Sequence, residues 1–234
     1  MSDREERRRR LVQLGSAAAF LAIVVVAVLI VISQSQTEGG DTNLEDVGLV
    51  NHELRGIPQE GLALGRAAPV KLVEFGDLQC PSCRAVAEDA MPGLIDSRVR
   101  NGSARLEFRN FVIIGDESTP AGAAAIAAGM QGHGWNFIEL FYRNQGTENS
   151  GYVTDEFLTS LAKSAGVPDI ARWNRDRRSN DAIAQVERST EEADGLGFDG
   201  TPSFAVESPG TKGLEPLGFL SSTGDLEAAV DKAR

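Results

Sequence analysis

The chain carries two cysteines, Cys80 and Cys83, with Pro81 and Ser82 between them, and no other feature constrains its fold as tightly. The run before the pair, Val70-Lys71-Leu72-Val73-Glu74-Phe75, is short, apolar and β-branched, the pattern of a buried strand. The run after it, from Cys80 to about Val99, places Val86, Ala90 and Leu94 at helical spacing, with Pro92 expected to kink or break it. A strand-to-helix junction puts Cys80 at a helix N-terminus, where free N–H groups and the macrodipole favour negative charge. That lowers a thiol's pKa and makes the thiolate available near neutral pH. Cys83 lies one turn in, within reach of a mixed disulfide on Cys80. Pro81 takes an early helical position where its missing N–H costs nothing. Cys80 is therefore expected to be the exposed nucleophile and Cys83 the buried resolving thiol.

Other uses of a C-x-x-C pair fit less well. A disulfide closing so small a loop contributes little stability, and a disulfide scaffold shows more cysteines at wider spacing. Zinc needs about four ligands, whereas the chain offers two Cys plus His52, which falls in a polar tether, and His133. A c-type haem needs His after the second Cys, where Arg84 stands. The reading is a redox-active cysteine pair with no metal and no bound cofactor.

Residues 11–32 form an uncharged apolar run of 22 residues directly after Arg7 to Arg10. As a helix it reaches roughly 33 Å, enough for a hydrocarbon core of about 30 Å. The positive-inside rule keeps residues 1–10 in the cytoplasm as a basic tail and sends everything after Ile32 across the membrane. A cleaved signal peptide is the competing reading, but Ser33-Gln34-Ser35-Gln36 offers no clear A-x-A site. Either reading exports the thiols to an oxidising compartment. The first 36 residues hold five arginines against three acids, a net +2, so the remaining chain carries −13 of the overall −11. An acidic globular part lacks the basic face that nucleic acid requires.

Residues 33–68 read as an extracytoplasmic linker, polar at first and then punctuated by Gly and Pro. A domain spans 69–234. A second strand is expected over Arg105–Ile114, then a helical block over about 119–197. Its helices are one opened by Thr119-Pro120, one over Trp135–Asn144, one capped by Thr154, and two over Pro168–Arg178 and Asp181–Gly195. Strands at Pro202–Glu207 and Glu215–Leu220 form an antiparallel hairpin, and Asp225–Ala233 closes as an amphipathic helix. Trp173 reads as core; Trp135 is open between packing and lining a groove. The order β-α-β, helices, β-β-α, with a right-handed crossover in the first unit, is an α/β thioredoxin fold with a helical insertion, preceded by one N-terminal transmembrane helix.

The stretch from Val70 through Gly76-Asp77-Leu78-Gln79 to Cys83 resembles the active-site strand and helix of DsbA-like thioredoxin-fold proteins, in particular the membrane-anchored BdbD-like group. Gly132-His133-Gly134-Trp135-Asn136-Phe137 to Gln145 is similar to that family's helical insertion, and Gly200-Thr201-Pro202-Ser203-Phe204 to its cis-proline loop. The similarity runs from about Gly56 to the C-terminus. It implies a cis Pro202 packed beside Cys80, and a Thr201 backbone that receives an extended substrate by strand addition. It also implies a buried acid at Glu74 that accepts a proton from Cys83 during resolution, if burial raises its pKa; a structural ion pair is the equal alternative. Position 82 is Ser, where DsbA itself has His, so the helix turn Pro81-Ser82 lacks a cation beside Cys80, which Arg84 compensates in part. Asp199 puts an acid before Thr201, and an extra structural Cys pair found in some members is absent.

The resemblance implies a thiol–disulfide oxidoreductase acting outside the cytoplasm, on the cell membrane. As a dithiol oxidase it takes electrons from reduced or unfolded exported proteins, and a membrane redox partner of the DsbB or vitamin K epoxide reductase type reoxidises it. Two alternatives stand beside that: a disulfide reductase or isomerase on the same fold, and a non-catalytic peptide-binding chaperone module.

Overall fold

The structure, a computed structural model, describes residues 44–234. The basic tail, the anchor over 11–32 and the first part of the linker lie outside the described residues. Among those described, no helix is long and apolar enough to cross a membrane.

Six strands form one sheet: β1 (Gln59–Glu60), β2 (Ala63–Leu64), β3 (Val70–Gly76), β4 (Ala104–Asn110), β5 (Ser203–Glu207) and β6 (Glu215–Gly218), in the spatial order β1-β2-β4-β3-β5-β6. β3 runs parallel to β4, with Glu74 opposite Phe108, and antiparallel to β5, with Glu74 opposite Phe204. β3 is thus central and covered on both faces, which is why its sequence is an apolar run rather than an alternation. Leu72, Leu106, Phe108 and Phe204 point to one face and join the main core. Val73, Phe75, Phe111, Phe198 and Ala205 form a smaller cluster with Ala193. Since successive side chains alternate faces, Glu74 and Gly76 share the Leu72 side.

The helices are α1 (Val47–Glu53), α2 (Pro81–Asp89), α3 (Met91–Leu94), α4 (Ser118–Gly129), α5 (Gly134–Arg143), α6 (Asp155–Ser164), α7 (Ile170–Asp176), α8 (Asn180–Gly195) and α9 (Thr223–Ala233). A π-turn over Ile95–Val99 follows α3. The break between α2 and α3 falls at Ala90, just before Pro92, whose ring excludes the carbonyl four residues back. The block α4–α8 is inserted between β4 and β5, and β5–β6 is the expected antiparallel hairpin. Thr154 caps α6 by accepting from the Phe157 N–H at 3.1 Å. The arrangement is the thioredoxin-like α/β fold with a helical insertion.

Three expectations need correction. The linker read over 33–68 is structured from Val47 onward, because α1 and the β1–β2 hairpin pack onto the domain and extend its sheet. Two-residue strands carry no periodicity, and what fixes them is distant in sequence. Trp135 Nε1–H donates to the Leu62 carbonyl at 2.9 Å, and the Trp135 N–H to Gln59 Oε1 at 3.0 Å. Gly129 and Gly134 let α4 and α5 approach this hairpin, since a Cβ on either would lie 2.6 Å and 2.4 Å from the Gly61 carbonyl oxygen. Second, the strand over 105–114 ends at Asn110. The N–H groups of Val112, Ile113 and Ile114 leave the ladder for the Thr190 hydroxyl and the Asp77 carboxylate. Third, α4 begins at Ser118, one residue before Thr119, and has no side-chain cap. Trp135 itself is buried at 1% exposure, which makes it packing rather than groove. Trp173 is core, as expected, with its Nε1–H on the Ala124 carbonyl at 2.9 Å.

The hairpin anchor yields a prediction. Trp135→Phe removes the bond to Leu62, whose carbonyl keeps the Phe108 N–H at 2.9 Å, so unfolding stability should fall by about 0.5–1.5 kcal/mol. Urea denaturation should show a lower midpoint at unchanged slope; an unchanged midpoint would show that the hairpin is held by other contacts.

Candidate active site

Cys80 is the N-cap of α2, in extended conformation, and Pro81 follows at the first helical position. Its Sγ accepts the Cys83 N–H at 3.4 Å, and as a thiol donates to the Thr201 carbonyl at 3.4 Å. The Thr201–Pro202 peptide is cis, with Pro202 buried. The structure thus brings together Cys80, Cys83, Thr201 and Pro202, which are 121 residues apart at their furthest hydrogen bond. Pro81 and Ser82 are exposed at the mouth of the helix.

Exposure departs from expectation. Cys80 is only 5% exposed, against 0% for Cys83, so the nucleophile is recessed rather than standing in solvent. Thr201 and Pro202 close over it from the β5 side. Both thiols are free.

The two sulfurs have opposed electrostatics. The Cys83 thiol donates to Cys80 and, against the opposing effect of burial, lowers its pKa to about 6. Thr201 adds to this, as do the Cys83 and Ser82 N–H groups at the helix N-terminus. Burial pushes Cys83 well above the ordinary thiol range, and its bond to Cys80 and the Glu74 carboxylate push the same way. Arg84 does not supply the cation missing at position 82: its Nε is bonded to Glu88 Oε1 at 2.8 Å.

Glu74 lies beneath the pair at 2% exposure, and its Oε1 has no hydrogen-bond partner. Among the described residues it makes no ion pair, so the alternative reading of Glu74 as half of a salt bridge finds no cation. Burial, then the charges of Glu139 and Cys80, push its pKa up to about 8.

Several positioning residues escaped the sequence reading. The Asp77 carboxylate accepts the N–H groups of Gln79, Ile113 and Ile114, each at 2.9 Å. The Asp77 carbonyl accepts the Cys80 N–H at 3.0 Å and the Tyr142 hydroxyl at 3.4 Å. Gln145 Nε2 spans the Leu78 and Cys80 carbonyls at 2.7 and 3.2 Å, and Gln79 Nε2 reaches the Ser118 hydroxyl at 2.9 Å. Asp77, Gln79 and Gln145 stand inside stretches that carried the family resemblance, which was the available signal for them. Glu139, a lone acid in the apolar run of α5, was another.

Comparison with known proteins agrees with this geometry. The family described as Thioredoxin matches residues 59–213. The chain is 34% identical over 143 residues to the probable disulfide bond formation protein D of Bacillus cereus, covering 59% of this chain and 66% of that relative, just under two thirds of its length. Among solved structures, BdbD of Bacillus subtilis in its oxidised form superposes with a TM-score of 0.65 at 22% identity, covering 76% of this chain and 97% of that one. A thioredoxin-like oxidoreductase from Silicibacter pomeroyi superposes with a TM-score of 0.58 at 32% identity, covering 81% and 97%.

The opposed thiols predict a reactivity profile. In the reduced protein, iodoacetamide should modify Cys80 with a rate that rises with pH through a midpoint near 6, because the thiolate is the reacting form. Cys83 should stay unmodified well past the ordinary thiol value of 9.0. Peptide mapping across pH tests both; a Cys80 midpoint near 9 would remove the basis for separate roles.

Proposed function

From the premise that the chain belongs to the thioredoxin family and is a DsbA-like relative of disulfide bond formation protein D, we propose that it is an extracytoplasmic dithiol oxidase. The observation that carries this is the asymmetry of the pair: a recessed Cys80 held toward thiolate and a fully buried Cys83 held toward thiol. A stabilised Cys80 thiolate favours the reduced form of the pair, and so makes its disulfide a better oxidant.

The chemistry balances as follows. A substrate thiolate attacks Cys80 Sγ of the oxidised pair. The substrate–Cys80 bond forms, the Cys80–Cys83 bond breaks, and the electron pair leaves on Cys83. Buried beneath α2, that sulfur cannot remain charged cheaply, and the Glu74 carboxyl gives it a proton. A second substrate thiolate attacks the substrate sulfur of the mixed disulfide and releases Cys80 as thiolate. Two electrons pass from substrate to the pair. Reoxidation reverses the roles: Cys80 attacks a disulfide of the redox partner, and Cys83, returning its proton to Glu74, attacks Cys80 and resolves the complex. Thr201 and Pro202 border the sulfur and offer the main chain against which an extended substrate lies.

Residues 11–32 and Arg7–Arg10 support a single-pass anchor with the domain outside the cytoplasm. The partners are then reduced or unfolded exported proteins, and a membrane protein of the DsbB or vitamin K epoxide reductase type. One observation favours a reductase or isomerase instead. Ser82 is neutral and exposed, and among the described residues no cation takes its place, so hydrogen bonds hold the thiolate.

Cys80→Ser should abolish disulfide formation in reduced substrates, and Cys83→Ala should accumulate a mixed disulfide between Cys80 and the redox partner, because the thiol that resolves that complex is gone. Retained activity in Cys80→Ser would end the proposal. Trapping the thiols by acid quench in intact cells sets the direction: a mostly disulfide pair supports the oxidase, a mostly dithiol pair the reductase. Glu74→Gln should slow attack on the oxidised pair by about a hundredfold at neutral pH.

A further inference from the structure

Helix α5 carries one acid, Glu139, in an otherwise apolar face, and the chemistry above gives it no task. It is 2% exposed, its Oε1 has no hydrogen-bond partner, and it makes no ion pair among the described residues. Its position relative to Glu74 follows from Tyr142, one turn further along the same helix face. The Tyr142 hydroxyl lies 3.0 Å from where a Cβ on Gly76 would stand and bonds the Asp77 carbonyl. Gly76 and Glu74 point to the same side of β3, the start of α5 is held at Leu62, which bonds Phe108 opposite Glu74, and the Glu139 charge is felt at Glu74, so the two buried carboxyls share one layer.

The charged groups around them are few. Arg143 is one turn from Glu139, with its side chain 6% exposed, but its guanidinium is committed to Glu53 at 3.0 Å and Asp46 at 3.6 Å. α1 offers Glu53 and α2 offers Glu88, which is itself paired with Arg84. β4 and β5 flank Glu74 with Phe108 and Phe204. Burial pushes Glu139 up to about 8, Arg143 pulls it down, and Glu53 and Glu88 push it further. Both carboxyls are pushed to about 8, but by different surroundings: Glu139 has Arg143 beside it, whereas Glu74 faces Glu139, Tyr142 and the cysteines.

We propose that Glu139 is a positioning residue for the buried proton: its carboxylate, beside Arg143, keeps the proton of the pair on Glu74, where Cys83 collects it. Two like charges in one water-free layer repel strongly, so the second proton leaves the pair only at higher pH. The group with the nearby cation ionises first, and the other stays a donor. The result is a proton placed under the leaving sulfur at pH values where a lone carboxyl would have lost it. This rests on the reading of Glu74 as proton donor to Cys83.

The test uses the full chain, reduced, with carboxyl-13C-labelled glutamate, and follows the Glu74 resonance through pH, assigned by its loss in Glu74→Gln. In Glu139→Gln the Glu74 titration should move to acid by about one pH unit. The alkaline fall of the rate of thiol attack on the oxidised protein should move with it, while the Cys80 alkylation midpoint near 6 stays. Glu139→Asp, which keeps the charge, should shift neither. An unmoved Glu74 titration in folded Glu139→Gln overturns the proposal, as does a Glu139→Asp shift as large as that of Glu139→Gln. If Glu74→Gln leaves the rate profile untouched, it is the donor reading that fails, and a Glu74 titration that still moves would preserve the coupling alone.

Discussion

The Asp77 carboxylate, buried at 1% exposure, accepts three main-chain N–H groups, two of them from Ile113 and Ile114, just after the end of β4. It binds the turn leaving β3 to the chain leaving β4, its parallel neighbour. Three charge-assisted bonds satisfy the buried charge and fix the direction in which the backbone departs. Its carbonyl then receives the Cys80 N–H, which sets the N-cap of α2. Tyr142 donates to that same carbonyl, and Gln145 holds those of Leu78 and Cys80 in the same turn. The contact between Cys80 and Thr201 is thus a consequence of how three segments converge on four consecutive peptides. The insertion helices contribute to the chemistry chiefly by holding this turn.

Beneath that turn the fold accepts a poor core. Glu74 occupies the centre of the middle strand, flanked by aromatic residues, where an aliphatic side chain would pack without leaving a bare oxygen. A buried acid with no partner protonates rather than remain charged, and the proposed mechanism uses that proton. The charge–burial conflict is worst where Cys83 needs a proton and is absent on the opposite face, where the side chains of Val73 and Phe75 pack with Phe198 and Ala205.

Local signals carried the catalytic end of the chain. The apolar run of β3, the helix opening at Pro81, the Thr154 cap and the hairpin after Pro202 are written in short windows. Cys80 and Cys83 were legible for the same reason, whereas Glu74 was legible only through the resemblance. Pro202 was legible only through resemblance, because nothing within its own window says that it meets Cys80. What was missed is non-local. β1 and β2 exist because Trp135 and Gln59 bond across more than seventy residues, and strand β4 ends early because Asp77 takes the N–H groups that would have continued it. The recession of Cys80 likewise depends on a loop 121 residues away.

The absence of a cation at position 82 acquires a definite meaning in this setting. The Cys80 thiolate is held by the Cys83 thiol, by Thr201 and by two N–H groups of the helix start. Such donors act at contact range and are shielded from solvent, so salt screens them less than it would an exposed ion pair. They also depend on the state of the pair itself. The Cys83 thiol is available as a donor only while Cys83 keeps its proton. The stability of the Cys80 thiolate, and with it the oxidising strength of the disulfide, is therefore tied through Cys83 to the carboxyl of Glu74. On the proposed mechanism one buried proton, shared between Glu74 and Cys83, governs both.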